Sequence, residues 1–100
     1  MNRGQVWTAR RAGHERLVVV VGHDAVTAAR DSVLVVPISD VRQPSLIEPE
    51  IRLADGSPVG VATTPRVGEV DKAYLLHHNG ELSPESRGEL DVALRAVRDL

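Results

Sequence analysis

Residues Leu17 to Val21 read Leu-Val-Val-Val-Val and stop at Gly22. An unbroken apolar run of this kind, almost all β-branched, fits a strand buried on both faces better than the one-sided stripe of a surface helix. Ser32 to Ser39 is a second Val-rich strand, and its Pro37 has to sit where no ladder donor is needed, at an edge or a bulge. The rest of the chain must supply cover for both. It holds 100 residues, 42% of them apolar, with one Trp, one Tyr, no Phe and no Cys. That length supports one domain over 1–100, because two would each be too small to bury a stable core. The core must be built from Val, Leu, Ala and Ile.

Several chemistries fall away at once. Without Cys there is no disulfide scaffold, thiolate zinc site or cysteine nucleophile. The longest apolar run is far too short to span a membrane, and no basic-then-apolar leader opens the chain, so a soluble cytoplasmic protein with no membrane partner is expected. His14, His23, His77 and His78 show neither HxH nor HExxH spacing, and His77 and His78 point to opposite faces of a strand. No metal site and no cofactor are therefore expected. A GxSxG elbow, a P-loop and a dinucleotide fingerprint are all absent.

The remaining segments read as short strands and turns. Arg3 to Arg10 is a first strand, and the polar stretch Arg10 to Glu15 a loop. His23 to Arg30 is Ala-rich and reads as a short helical turn with Asp24 as N-cap. Ser45 to Leu53 alternates like a half-exposed strand interrupted at Pro49, and Ala54 to Pro58 is a turn. Val59 to Thr64 and Arg66 to Val70 are short strands, and Tyr74 to His78 a last one closed by Asn79-Gly80. A terminal helix follows, with Ser83 as N-cap, Pro84 at its first position and Leu90, Ala93, Leu94 and Val97 on one face. Gly88 weakens it by about 1 kcal/mol relative to Ala. About six strands and one terminal helix imply a small, strongly twisted barrel with the helix packed on it.

Net charge is −2, which as a total argues against a nucleic-acid partner. The total hides an asymmetry. Residues 1–47 hold six Arg against four acids, and residues 48–100 hold six basic residues against ten acids. All but one of the basic residues are Arg, the side chain suited to bidentate phosphate contact.

Six segments, in order, resemble the MazF/PemK toxin family. Arg3-Gly4-Gln5-Val6-Trp7 resembles its R-G-[ED]-[IV]-W opening, Gly13-His14-Glu15 its G-[SH]-E loop, and Arg16 to Val21 its R-P-V-[LV]-V-[LV] strand. Val33 to Ser39 is similar to V-x-V-V-P-[LIV]-[TS]. Val70-Asp71-Lys72 followed by Leu75-Leu76 is similar to [IV]-D-K-x-R-L, and Gly80 to Glu85 to G-x-L-S-x-[ED]. The family's D-Q-[IV]-R-[TA]-[IV]-D-K stretch appears here as Pro65 to Lys72, without its Asp, Gln and Arg side chains. Leu17 replaces the Pro after Arg16, and the loop before Arg16 is shorter.

The resemblance implies an α+β, mainly β fold, an SH3-like barrel with a C-terminal helix. It implies a homodimeric toxin of a toxin–antitoxin pair that cleaves single-stranded RNA without metal, by attack of the 2′-hydroxyl, to leave 2′,3′-cyclic phosphate and 5′-hydroxyl ends. The family's catalytic Arg falls on Arg16 and its catalytic Thr/Ser on Ser39. A guanidinium and a hydroxyl suit a phosphorane-like transition state, since both donate to its nonbridging oxygens. Arg stays protonated, so Glu15 or His14 is the candidate for accepting the 2′-hydroxyl proton. Arg10, Arg11, Arg42 and Arg66 are candidate RNA contacts. With so few aromatics, RNA is expected to be held by its backbone more than by its bases. Expected partners are single-stranded RNA, a cognate antitoxin and a second copy of the chain. Two other readings remain: a CcdB-like gyrase poison, which the chain's end does not match for want of Trp-Gly-Ile, and an inactive barrel binding antitoxin and operator DNA.

Overall fold

In the computed structural model, which describes residues 1–98, the two valine strands lie side by side at the centre of the sheet. The strands are β1 (Gln5–Arg11), β2 (His14–Val20), β3 (Ser32–Ser39), β4 (Glu50–Arg52), β5 (Pro58–Ala62), β6 (Gly68–Asp71) and β7 (Leu75–Glu81). Two α-helices accompany them, α1 (Asp24–Ala29) and α2 (Pro84–Arg98). The sheet order is β4-β5-β3-β2-β1-β7, and β6 also pairs with β3. A 3-10 turn, Lys72–Tyr74, carries the chain from β6 on one side to β7 on the other. Together these strands curl into the expected mainly-β barrel.

Strand alternation explains why consecutive valines can all be buried. Val18 and Val20 of β2 join Val33, Val35 and Leu75 in one cluster, edged by Trp7, Ala9 and Val70. Val19 and Val21 point the other way, into a second cluster with Val6, Val36, Ile51, Leu82 and Leu90. The second cluster is roofed by the β4–β5 hairpin and by α2, whose Leu90 and Ala93 are buried. A bridge between Leu53 and Leu82 ties the end of the hairpin to the chain leaving β7. The α2 start follows the sequence reading: Ser83 Oγ accepts from the Ser86 N–H at 3.2 Å, with Pro84 first in the helix.

Elsewhere the structure departs from the sequence reading. The stretch Arg10 to Glu15 is not a loop, because β1 and β2 pair as far as Arg11↔His14. Only Ala12 and Gly13 turn, with φ of 52° and 82°. Positive φ at both positions is the hairpin geometry that matches strand twist, so two residues suffice. The cap of α1 is His23, whose Nδ1 accepts from the Ala25 N–H at 3.2 Å. Asp24 instead accepts from the Arg3 N–H at 2.7 Å.

The strand expected over Ser45–Leu53 shrinks to Glu50–Arg52. Ser45 and Glu48 exchange backbone hydrogen bonds in a tight turn of their own. The strand expected to close at Asn79-Gly80 runs on to Glu81, since two register shifts against β1 absorb the extra residues. Asn79 there donates to Thr8 Oγ1 at 2.8 Å.

No described helix is long and apolar enough to cross a membrane.

Candidate active site

The ladder between β2 and β3 covers only Val20↔Val35, Val19↔Val36 and Val18↔Pro37. Beyond it the strands change partners. β2 stays with β1 down to His14, while the end of β3 joins β5 through Ile38↔Ala62 and Ser39↔Val61. Pro37 stands at that changeover, between Val35 paired to Gly68 and Ile38 paired to Ala62, where a missing N–H costs no ladder bond. Its carbonyl accepts from the Thr63 N–H at 2.9 Å and the Thr63 hydroxyl at 2.7 Å, which fastens β5 to this corner. Arg16 and Ser39 each lie two residues beyond the last β2–β3 pair, Val18↔Pro37, where the strands have parted, and both line the same cleft.

A cleft of about 560 Å³ opens at these strand ends, with Glu15, Arg16, Ser39, Asp40, Arg42 and Arg66 as its charged and hydroxyl-bearing rim and Leu17 and Val59 among its apolar walls. Ser39 Oγ accepts from the N–H groups of Val41 at 3.3 Å and Arg42 at 3.2 Å, so the hydroxyl shapes the turn after β3. Those bonds occupy its acceptor capacity and leave its proton to donate. Arg42 is tied to Glu48 at 3.1 Å, and the Glu48 side chain is only 13% exposed. Arg16 and Arg66 make no ion pair or side-chain hydrogen bond among the described residues, and neither does Glu15. Two uncommitted guanidiniums, a donor hydroxyl and the carboxylates of Glu15 and Asp40 therefore share one concave surface.

The structure gathers five of the eight candidate residues in the cleft: Glu15, Arg16, Ser39, Arg42 and Arg66. It leaves three outside. His14 lies beside Arg11 at the hairpin end, and Arg10 faces Glu15 across the ladder without lining the cleft. Arg66 comes from the stretch that departs from the family pattern, and that stretch still delivers a cation here. Asp40 and Thr63 went unmarked in the sequence. Adjacency to Ser39 is the one local signal for Asp40; Thr63 has none, since only the β3–β5 pairing brings it in. No cluster of three or more His, Asp or Glu that could hold a metal ion occurs among the described residues. The histidines are spread over the hairpin end, the α1 cap and β7.

The class defined by this architecture is a small SH3-like barrel bearing a C-terminal helix. The family model for the PemK-like, MazF-like toxin of type II toxin–antitoxin systems matches residues 2–97, and the chain belongs to that family. No curated protein matches it at a significant level. Among solved structures it is similar to a mycobacterial endoribonuclease in complex with its cognate antitoxin, at 19% identity and a TM-score of 0.89, covering 100% of this chain and 96% of that one. It is also similar to a MazE–MazF structure from Deinococcus radiodurans, at 14% identity and a TM-score of 0.84, covering 100% and 96%. The Mycobacterium tuberculosis toxin MazF-mt6 aligns at 18% identity and a TM-score of 0.79, covering 96% and 97%. At these identities the likeness speaks for the fold.

Proposed function

We propose that this toxin is an endoribonuclease of single-stranded RNA whose active site is the cleft between Arg16 and Ser39. The observation that carries the reading is the pairing of an uncommitted guanidinium with a donor hydroxyl across the separated ends of β2 and β3. A phosphodiester seated there meets Arg16 and Ser39 on its nonbridging oxygens, where charge builds as phosphorus becomes five-coordinate. Glu15, on the cleft wall, takes the proton from the RNA 2′-hydroxyl as that oxygen attacks the adjacent phosphorus. The P–O5′ bond breaks and the 5′-oxygen takes up a proton from water, while the Arg16 guanidinium, which stays protonated, stabilises the charge that develops on it. The products are a 2′,3′-cyclic phosphate and a 5′-hydroxyl end. Of the two candidate bases, Glu15 is preferred to His14 because it lines the cleft. Arg66 and Arg42 extend the positive rim along the RNA backbone, Arg42 less so because Glu48 neutralises it.

Two protein partners belong to the same reading. A cognate antitoxin fits because solved relatives carry one. A second copy fits because Val41 (83% exposed) and Leu46 (94%) stand uncovered on the segment flanking the cleft. Sedimentation of the purified protein at tens of micromolar should show a dimer; monomer alone would remove that partner.

The reaction is tested by incubating the protein with mixed RNA in EDTA. Fragments with 5′-hydroxyl ends that vanish in Arg16→Ala are the expected result. Intact RNA at high protein concentration would overturn the reading.

A further inference from the structure

The chain has a single Trp and a single Tyr, and folding sets both along the β1–β7 pair. Trp7 is already engaged: its ring stacks on His78 with centres 5.2 Å apart and planes 25° from parallel. Tyr74 is not enclosed in this way. It sits in the 3-10 turn entering β7, is 41% exposed, and lies under the Arg11 guanidinium, 5.9 Å from the ring centre. Arg11 faces His14 across the hairpin and makes no ion pair among the described residues. Tyr74 also occupies the Arg position of the family's [IV]-D-K-x-R-L pattern, so the ring is a property of this chain.

The register gives its distance from the cleft. Arg16 pairs with Ala9, and Ala9 pairs with Leu75, the residue after Tyr74. Two strand spacings amount to about 10 Å. Adjacent nucleotides of one strand can bridge that span.

We propose that Tyr74, Arg11 and His14 form a nucleotide subsite beside the cleft, with a base stacked on the Tyr74 ring and its phosphate held by Arg11. The proposal rests on the endoribonuclease reading for what occupies the cleft next door. The Arg11 guanidinium, now spread over the ring, supplies the charge a phosphate needs, and the exposed phenol supplies a surface for a base. His14 adds a hydrogen-bond donor on the same face as Arg11. Because every base offers a π-face, this subsite favours length of RNA over sequence.

Steady-state cleavage of a single-stranded RNA by wild type, Tyr74→Ala, Tyr74→Phe and Arg11→Gln tests this. Tyr74→Ala should raise KM about tenfold while kcat changes far less, and Tyr74→Phe should restore KM because it keeps the ring. Arg11→Gln should raise KM and flatten its dependence on salt. In parallel, an uncleavable 2′-O-methyl oligonucleotide is titrated into wild type and Tyr74→Ala, with circular dichroism reporting the fold. Unchanged KM and unchanged binding in folded Tyr74→Ala would overturn the subsite and leave the cleavage reading standing. Binding weakened about tenfold by Tyr74→Ala, in a protein that cleaves no RNA, would keep the subsite and overturn the endoribonuclease reading.

Discussion

β2 and β3 each have two halves with opposite jobs. Over Val18–Val20 and Val35–Pro37 they pair with each other, and the valines on both faces are almost wholly buried. Over Glu15–Leu17 and Ile38–Ser39 they hold other strands, and their charged and hydroxyl side chains line a cleft. The paired half supplies the rigidity, because its side chains interlock in two clusters. The separated half leaves polar groups free to meet a ligand, because Arg16, Glu15 and the Ser39 proton have no partner among the described residues. A site built at the end of a well-packed ladder inherits its geometry from that ladder.

This contrast can be broken in three places. The largest effect belongs to Arg16→Ala, expected to lower RNA cleavage about 10²–10³-fold while shifting stability by no more than about 0.5 kcal/mol, read by cleavage assay and thermal melting. A comparable loss of stability would place Arg16 in the structural half instead. Next is Val36→Ala, the converse change, with 0% exposure at the parent residue; it should cost about 2 kcal/mol in denaturant unfolding and spare the chemical step in protein that remains folded.

Ser39 joins the two halves. Ser39→Ala should cut the rate about 10²-fold and cost about 1 kcal/mol, because two N–H groups lose their acceptor along with the lost donor. Ser39→Thr, which keeps the hydroxyl, should retain most of both.

The smallest effect lies far from either half. The Asp55 carboxyl is held below its ordinary value by the Ser57 backbone N–H, at 2.8 Å, with help from the Ser57 hydroxyl. A depressed folded-state value means that its stabilisation is present above the unfolded carboxyl range, near pH 4, and fades as pH falls through the folded value. Asp55→Ala should therefore differ slightly from wild type in melting temperature at pH 7 and converge with it in acid.

Much of the framework was legible in the residues. Valine runs longer than an amphipathic pattern allows gave β2 and β3, and Ser83-Pro84 ahead of spaced Leu90, Ala93 and Leu94 gave α2. Local rules failed where a distant partner decided the outcome. Polar residues at Arg10–Glu15 look like a loop, yet the β1–β2 ladder holds them in strands whose ends happen to be exposed. Leu46 and Ile47 suggest burial, yet between Pro44 and Pro49 no neighbouring strand takes up their backbone, and Leu46 is left in solvent. His23 rather than Asp24 caps α1 because Asp24 is drawn to the Arg3 N–H, just ahead of β1.

The sequence by itself determined the two-sided valine core, the terminal helix, the absence of thiol chemistry and the membership of a toxin family carried by six ordered segments. Tertiary structure alone decided which polar residues meet. Arg16 and Ser39 lie 23 positions apart in the chain, and only the fold brings both to one cleft. Thr63 reaches the cleft, and Tyr74 reaches Arg11, through strand pairings that no local pattern encodes. Side-chain type and periodicity are properties of short stretches, whereas register and partner exchange depend on every strand in the sheet at once.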